Sequence, residues 1–317
     1  MIAKAVLVVA ALLVAGTLLT LWKAGRNERA AEESHPPSGR ILEVEGTRVH
    51  AWVEGTGPDL VLIHGSSGNL RDFTFDLARR LTDRYRVIAF DRPGLGYTER
   101  LSPDGASIGE QAGLLAQAAA QLGAERPIVL GHSYGGAVAL AWAVQHPERI
   151  AALVTLAAAS NPWETGLGTY YSVLSHPVAG RVAIPLITAW VDETRVTQAL
   201  SEVFEPQPAP EGYAAHFGPG LTLRRGSLRA NAMQRASLLD EIEALHPRYG
   251  EIEVPVEILH GTADTTVDLG IHSERLARQI PEARLTRLEG VGHMVQHAAP
   301  DATVEAIDRA ARRAGLR

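Results

Sequence analysis

The sequence predicts an α/β fold: a mostly parallel eight-stranded sheet flanked by helices, interrupted by a helical cap insertion and preceded by a transmembrane helix. Three observations carry this. Short, wholly apolar runs alternate with helical patterns, as in a parallel sheet covered on both faces. The alternation stops near Asn161 and resumes after Val254-Pro255. And the pentapeptide Gly131-His132-Ser133-Tyr134-Gly135 stands between a strand and a helix.

At the N-terminus, Ala5 to Trp22 is eighteen residues without a charge, flanked by Lys4 and Lys23, the only lysines of the chain. As a helix it spans ~27 Å, close to the hydrocarbon thickness of a bilayer. A cleaved signal peptide is the competing reading, but the residues after Leu18 (Leu, Thr, Leu, Trp, Lys) make a poor cleavage site. An uncleaved single-pass anchor at 1–25 is therefore expected, in contact with membrane lipid, with Trp22 suited to the interface. Sidedness stays open. Lys23, Arg26, Arg29 and Arg40 argue for a cytoplasmic domain, whereas a short positive N-terminus before an apolar run can also export the rest of the chain. Residues 26–39, charged and then Pro-rich, read as a linker.

The first part of the core is expected at 40–160. Ile41–Val44 and Arg48–Val53 form a hairpin around Glu45-Gly46. Leu60–Ile63 and Arg86–Phe90 are apolar on both faces, so they read as central strands. Ser107 to Leu122 is a helix opened by Ser107-Ile108-Gly109-Glu110, which has capping-box spacing. Pro127–Leu130 is the next strand, Gly135–Gln145 a helix and Ile150–Leu156 a strand. From 161 to 247 helical patterns with many prolines and aromatics dominate, without an evident strand. This insertion should sit over the carboxyl ends of the strands, where such sheets bind ligands. At 248–317 the core resumes: strand Val256–Leu259, helix Ile271–Ile280, strand Arg284–Leu288 and helix Ala302–Ala314.

Composition narrows the function. The 317 residues are 46% hydrophobic, enough for a sizeable core, and the net charge is −6. No basic stripe points to nucleic acid. With no cysteine, thiolate catalysis and Cys-ligated metals are excluded.

The chemistry centres on Ser133. A serine at a sharp strand-to-helix turn, with glycines two places before and after, is a nucleophile elbow. The turn lifts the hydroxyl out of the sheet and leaves the Tyr134 amide free to bind an oxyanion. A serine needs a base, and the base needs an orienting acid. Asp264 lies just past the strand Val256–Leu259, and His293 comes after Gly290-Val291-Gly292, past the last strand. Asp268 and the more distant Asp240 are rival acids, but Asp264 is nearest a strand end. His293 and His297 are four apart, yet Met294 stands where a metal-binding His-Glu-x-x-His would carry glutamate, so no metal site is expected. The second oxyanion donor should come from the loop His64-Gly65-Ser66-Ser67-Gly68-Asn69, with the Ser66 amide as candidate. His64 and His132 read as structural braces. Asp91-Arg92-Pro93-Gly94-Leu95-Gly96-Tyr97 lacks the third glycine of a dinucleotide loop and reads as a structural turn at the pocket edge.

Together these residues resemble the α/β-hydrolase superfamily, from about Ile41 to the C-terminus. The resemblance is carried by His64-Gly65-Ser66, Asp91 to Gly96, Gly131 to Gly136, Gly261-Thr262-Ala263-Asp264 and Gly292-His293. The order Ser133, Asp264, His293 fits this fold. The chain looks most like the capped esterases, lipases, perhydrolases and carbon–carbon bond hydrolases. It departs from the hormone-sensitive-lipase-like pattern, because Ser66-Ser67 rather than more glycines come after Gly65. Relatives that open epoxides or remove halides carry aspartate at the elbow, where this chain has Ser133. The resemblance implies a serine hydrolase that needs no cofactor and cleaves a small ester with an apolar acyl group, with cap residues such as Trp163 shaping the acyl pocket. Perhydrolysis and carbon–carbon cleavage use the same triad. A low-turnover ligand-binding protein is the alternative of another class.

Overall fold

The computed structural model describes residues 1–103 and 105–317. Helix α1 (Ile2–Ser34) leads into the hairpin β1 (Arg40–Val44) and β2 (Thr47–Glu54). Glu45 and Gly46 both take positive φ there, 49° and 80°, the twist that a two-residue hairpin turn needs. Then come β3 (Asp59–Ile63), α2 (Arg71–Thr74), β4 (Arg86–Phe90), α3 (Ile108–Gln121), β5 (Ile128–His132), α4 (Tyr134–Gln145) and β6 (Ala152–Leu156). The expected capping box closes α3: the Ser107 side chain accepts from the Glu110 amide while Glu110 accepts from the Ser107 amide.

Among the described residues, the regular elements of the insertion are all helices: α5 (Thr169–Ser175), α6 (Ala179–Trp190), α7 (Glu193–Glu202), α8 (Tyr213–Phe217), α9 (Pro219–Thr222) and α10 (Arg225–Leu245). The core returns with β7 (Val256–Gly261), α11 (Ser273–Gln279), β8 (Ala283–Leu288), α12 (Val295–Ala298) and α13 (Pro300–Arg313).

Among the described residues, eight strands form one sheet in the order β1-β2-β4-β3-β5-β6-β7-β8. β2 runs antiparallel to β1 and β4, and the remaining pairs are parallel. The wholly apolar strands are explained by their two covered faces. Val61, Ile63 and Val129 pack with residues of α3 and α4, whereas Leu60, Leu62 and Leu130 pack with Ala306 and Ile307 of α13. Side chains alternate along a strand, so both sets must be apolar. Because β5, β7 and β8 are parallel members of one sheet, the loops holding Ser133, Asp264 and His293 leave its same edge.

One expectation changes. Residues 26–39 do not form an irregular linker, because α1 continues to Ser34. Glu28 and Glu32, four apart on one helical face, reach the cap: Glu28 pairs with Arg225 at 2.6 Å and Glu32 with Arg224 at 2.9 Å. Asn27 adds a hydrogen bond to the Thr188 carbonyl at 2.9 Å. Only the segment around Pro36-Pro37, where proline ends the helix, is left as a connector. The apolar part of α1 has a mean hydropathy of 2.5 over its best window and is fully exposed, so it is long and apolar enough to cross a membrane.

Candidate active site

β5 is buried along its whole length and delivers Ser133 to the carboxyl edge of the sheet. Ser133 sits at φ 54°, ψ −118°, a conformation costing an L-residue ~1–3 kcal/mol. Its backbone is pinned on both sides: the amide donates to the Leu156 carbonyl at 2.9 Å, and the carbonyl accepts from Gly136 at 2.9 Å and Ala159 at 3.2 Å. The flanking glycines are needed for close approach. A Cβ on Gly131 would strike the Gly135 carbonyl, one on Gly135 the Ile63 carbonyl, and one on Gly136 the Ala158 side chain.

Asp264 lies just beyond β7 with its side chain shielded from solvent. Oδ1 accepts from the amides of Thr266 (2.8 Å) and Val267 (3.0 Å), which fixes the carboxylate plane. Oδ2 lies 2.8 Å from His293 Nδ1 and 3.1 Å from His260 Nε2. Burial alone would raise the Asp264 pKa. Hydrogen bonds from His260 and His293 outweigh it and hold the group below the usual carboxylate range. With Nδ1 donating to Asp264, the base position on His293 is Nε2. The Ser133 hydroxyl has no hydrogen-bond partner among the described residues; such bonds are often long in unliganded sites and tighten with substrate. The rival carboxylates lie elsewhere: Asp268 caps the Ile271 amide at 2.7 Å, and Asp240 is exposed on α10.

The two loops are locked together. A Cβ on Gly261 would strike the Val291 carbonyl, and one on Gly292 the Glu205 carbonyl of the cap. Gln207, also from the cap, brackets the His293 loop: it donates to the Gly290 carbonyl and accepts from the Gly292 amide, both at 2.8 Å. His132 lies against His293, ring centroids 4.8 Å apart, with Nε2 3.1 Å from the His293 carbonyl. Burial pushes the His132 pKa down to about 3, so this ring is a neutral brace.

The loop after β3 rests on the elbow: a Cβ on Gly65 would come within 3.2 Å of both the Ser133 Cβ and His132 Nδ1. The Ser66 amide and the Tyr134 amide, the latter first in α4, find no acceptor among the described residues. Arg92 holds this loop. Its guanidinium, wholly buried, donates to the carbonyls of His64 (2.9 Å) and Gly65 (3.0 Å) and to Gln111 and Gln234 Oε1 (both 2.8 Å). It also stacks 4.2 Å over the Tyr134 ring. Burial without a carboxylate partner lowers its pKa to about 10. His64 braces the same turn: Nε2 accepts from the Arg92 amide at 3.0 Å, and Nδ1 lies 2.9 Å from the Gly65 carbonyl.

His297 turns away from His293 to a second buried carboxylate. Asp72 Oδ1 accepts from His297 Nε2 (2.8 Å) and the Tyr213 hydroxyl of the cap (2.7 Å), and Oδ2 accepts from Gln296 (2.9 Å). These bonds outweigh burial and hold the Asp72 pKa well below the ordinary carboxylate range. Trp163 packs on the core and tilts against the His272 ring at 5.8 Å. Gln207, His260 and the anchoring roles of Arg92 and Asp72 were not read from sequence, since each depends on partners far along the chain. Only the strand-end position of Asp91-Arg92 gave a signal.

The geometry has counterparts in known proteins. A family model for the alpha/beta hydrolase fold matches residues 58–300. Haloalkane dehalogenase 2 of Mycobacterium tuberculosis is 28% identical over 288 residues, covering 86% of this chain and 94% of that protein. A crystal structure of a membrane phospholipase A, described as a novel bacterial virulence factor, is similar over 100% of this chain and 99% of its own, with a TM-score of 0.65 and 23% identity. A thermophilic esterase from Thermogutta terrifontis covers 87% of this chain and 99% of its own, with a TM-score of 0.70 and 21% identity. At such identities the two structures establish a shared fold.

Proposed function

The chain belongs to the α/β-hydrolase fold family, and we propose that within it the protein is a serine hydrolase that cleaves a carboxylic ester while held at a membrane by α1. The observation that carries this reading is the 2.8 Å contact between Asp264 and His293 on the same sheet edge as the strained Ser133 elbow.

The reaction runs in two steps. Ser133 Oγ attacks the ester carbonyl as His293 Nε2 takes its proton. The developing oxyanion is met by the Ser66 and Tyr134 amides, each worth ~3–4 kcal/mol in the transition state. His293 returns the proton to the leaving alcohol, and water activated by the same nitrogen releases the acid. Asp264 keeps Nδ1 protonated and stabilises the imidazolium.

Serine at the elbow argues against the chemistry of the dehalogenase relative. Displacement of a halide by a serine hydroxyl would leave an alkyl ether, which water activated by histidine does not cleave. An acyl group on Ser133 is an ester and turns over. The apolar α1 and the fold shared with a membrane phospholipase support a substrate with an apolar acyl chain.

A panel of nitrophenyl esters of increasing acyl length tests this reading on the full chain. Turnover is expected to depend on chain length and to vanish in Ser133→Ala. Turnover that survives that substitution unchanged contradicts it.

A further inference from the structure

The cap carries an exposed apolar face that the ester reaction does not use. Between Glu164 and Asp192 the chain has no carboxylate and one formal charge, Arg181. In the fold this stretch becomes α5 and α6, whose outer side presents Tyr170, Val173, Val178, Val182, Leu186 and Trp190 to solvent. Val178 is 66% and Val182 61% exposed. Positions 178, 182, 186 and 190 recur every four residues, so they form one stripe along the helix. The inner side of the two helices is closed: Ile184 of α6 and Leu174 of α5 pack with Leu228 and Ala232 of α10. A soluble surface rarely concentrates apolar side chains in this way without a partner.

The stripe ends on the anchor. Trp190 Nε1 donates to Thr20 Oγ1 at 3.2 Å, and Lys23 Nζ sits 3.9 Å from the Trp190 ring centroid. Seven residues along α1, Asn27 bonds the Thr188 carbonyl. The C-terminal end of α6 thus packs against α1 between Thr20 and Asn27. An α1 that spans the bilayer therefore brings the C-terminal end of α6, and the apolar stripe that ends there, to the bilayer surface. Trp190 lies on the side of Thr20, within the apolar span, while the Thr188 hydroxyl bonds the Leu223 carbonyl on the domain side. Trp190 beside Lys23, with Trp22 next to Lys23 in the chain, is the composition of a membrane interface.

We propose that the α5–α6 face is a second membrane contact, seated in the acyl–headgroup boundary of a phospholipid bilayer beside α1. The apolar stripe enters the lipid, and Arg181, exposed beside it, reaches the headgroups. The cap is then fixed against the bilayer at two places. This inference rests on α1 spanning the membrane and is independent of the ester reaction.

The cysteine-free chain allows a direct test. Full-length Val182→Cys, Leu186→Cys, Leu12→Cys and Glu243→Cys are each labelled with an environment-sensitive NBD fluorophore. They are placed in phospholipid nanodiscs with or without a nitroxide on the acyl chain. Leu12 reports the anchor, and Glu243, exposed on α10, reports the aqueous side. Quenching at Val182 and Leu186 of at least half that at Leu12, with Glu243 unquenched, is the expected result. Quenching at both cap positions no greater than at Glu243, while Leu12 is quenched, overturns the proposal and leaves the anchor intact. Leu12 unquenched removes the anchor and the proposal with it. Disulfide-linked dimers of unlabelled Leu186→Cys without lipid quenching would assign the face to a second copy of the chain instead.

Discussion

Asp264 holds His293 through one carboxylate oxygen, 2.8 Å from Nδ1, and the same oxygen also meets His260. The other oxygen is spent on two backbone amides. This division lets the carboxylate orient the base without rotating. In Asp264→Asn the side-chain amide would present N–H where His293 now donates, which reverses the tautomer. The loss in kcat should be ~10³–10⁴-fold with the fold retained. Steady-state kinetics beside thermal unfolding measures both. A loss below tenfold would show that Asp264 does not orient the base.

Arg92 should matter to stability and rate together. Removing it in Arg92→Met leaves the His64 and Gly65 carbonyls and two glutamine oxygens without a donor in a dry site. Breaking a buried charged network of this kind typically costs ~3–5 kcal/mol. The Ser66 amide loses its support, so kcat should fall more than KM rises. Arg92→Lys should recover little, because an ammonium cannot fork to four acceptors. Denaturant unfolding with kinetics on both variants checks this.

Stability should fall in mild acid. Burial lowers the pKa of His64 from 6.5 to about 4 and that of His272 to about 4, and His132 is pushed to about 3. Between these values and 6.5 the unfolded chain binds protons that the folded chain refuses. Stability is therefore full above pH 6.5 and declines as pH falls towards 4, by up to ~1.4 kcal/mol per pH unit for each ring. His64→Gln keeps an acceptor for the Arg92 amide and removes one titrating ring. Its stability-versus-pH slope between 6 and 4.5 should be shallower than that of the parent chain. An unchanged slope would mean that His64 is charged in the fold.

The parts of the site that sequence made legible are those fixed locally. Gly131, Ser133 and Gly135 must lie within five residues because the turn itself demands them. Asp264 and His293 could be placed because each stands past a strand that carries it to the same edge. The hidden parts are held by distant partners. Arg92 reaches Gln234, Gln207 of the cap grips the loop of His293, and Glu28 finds Arg225, which turned an expected linker into helix. Hydrophobic periodicity reports which face of an element is buried, and it carries no information about which polar group answers across the chain.

The central claim is that Ser133 is a nucleophile activated by His293, and one measurement bears on it most directly. The full chain, folded in detergent or nanodiscs, is treated with a fluorophosphonate and digested, and the modified peptide is identified by mass spectrometry. The account predicts a single adduct on Ser133, lost in heat-unfolded protein and slowed at least 100-fold in His293→Ala. Folded protein that leaves Ser133 unmodified, or labelling indifferent to His293, would contradict it.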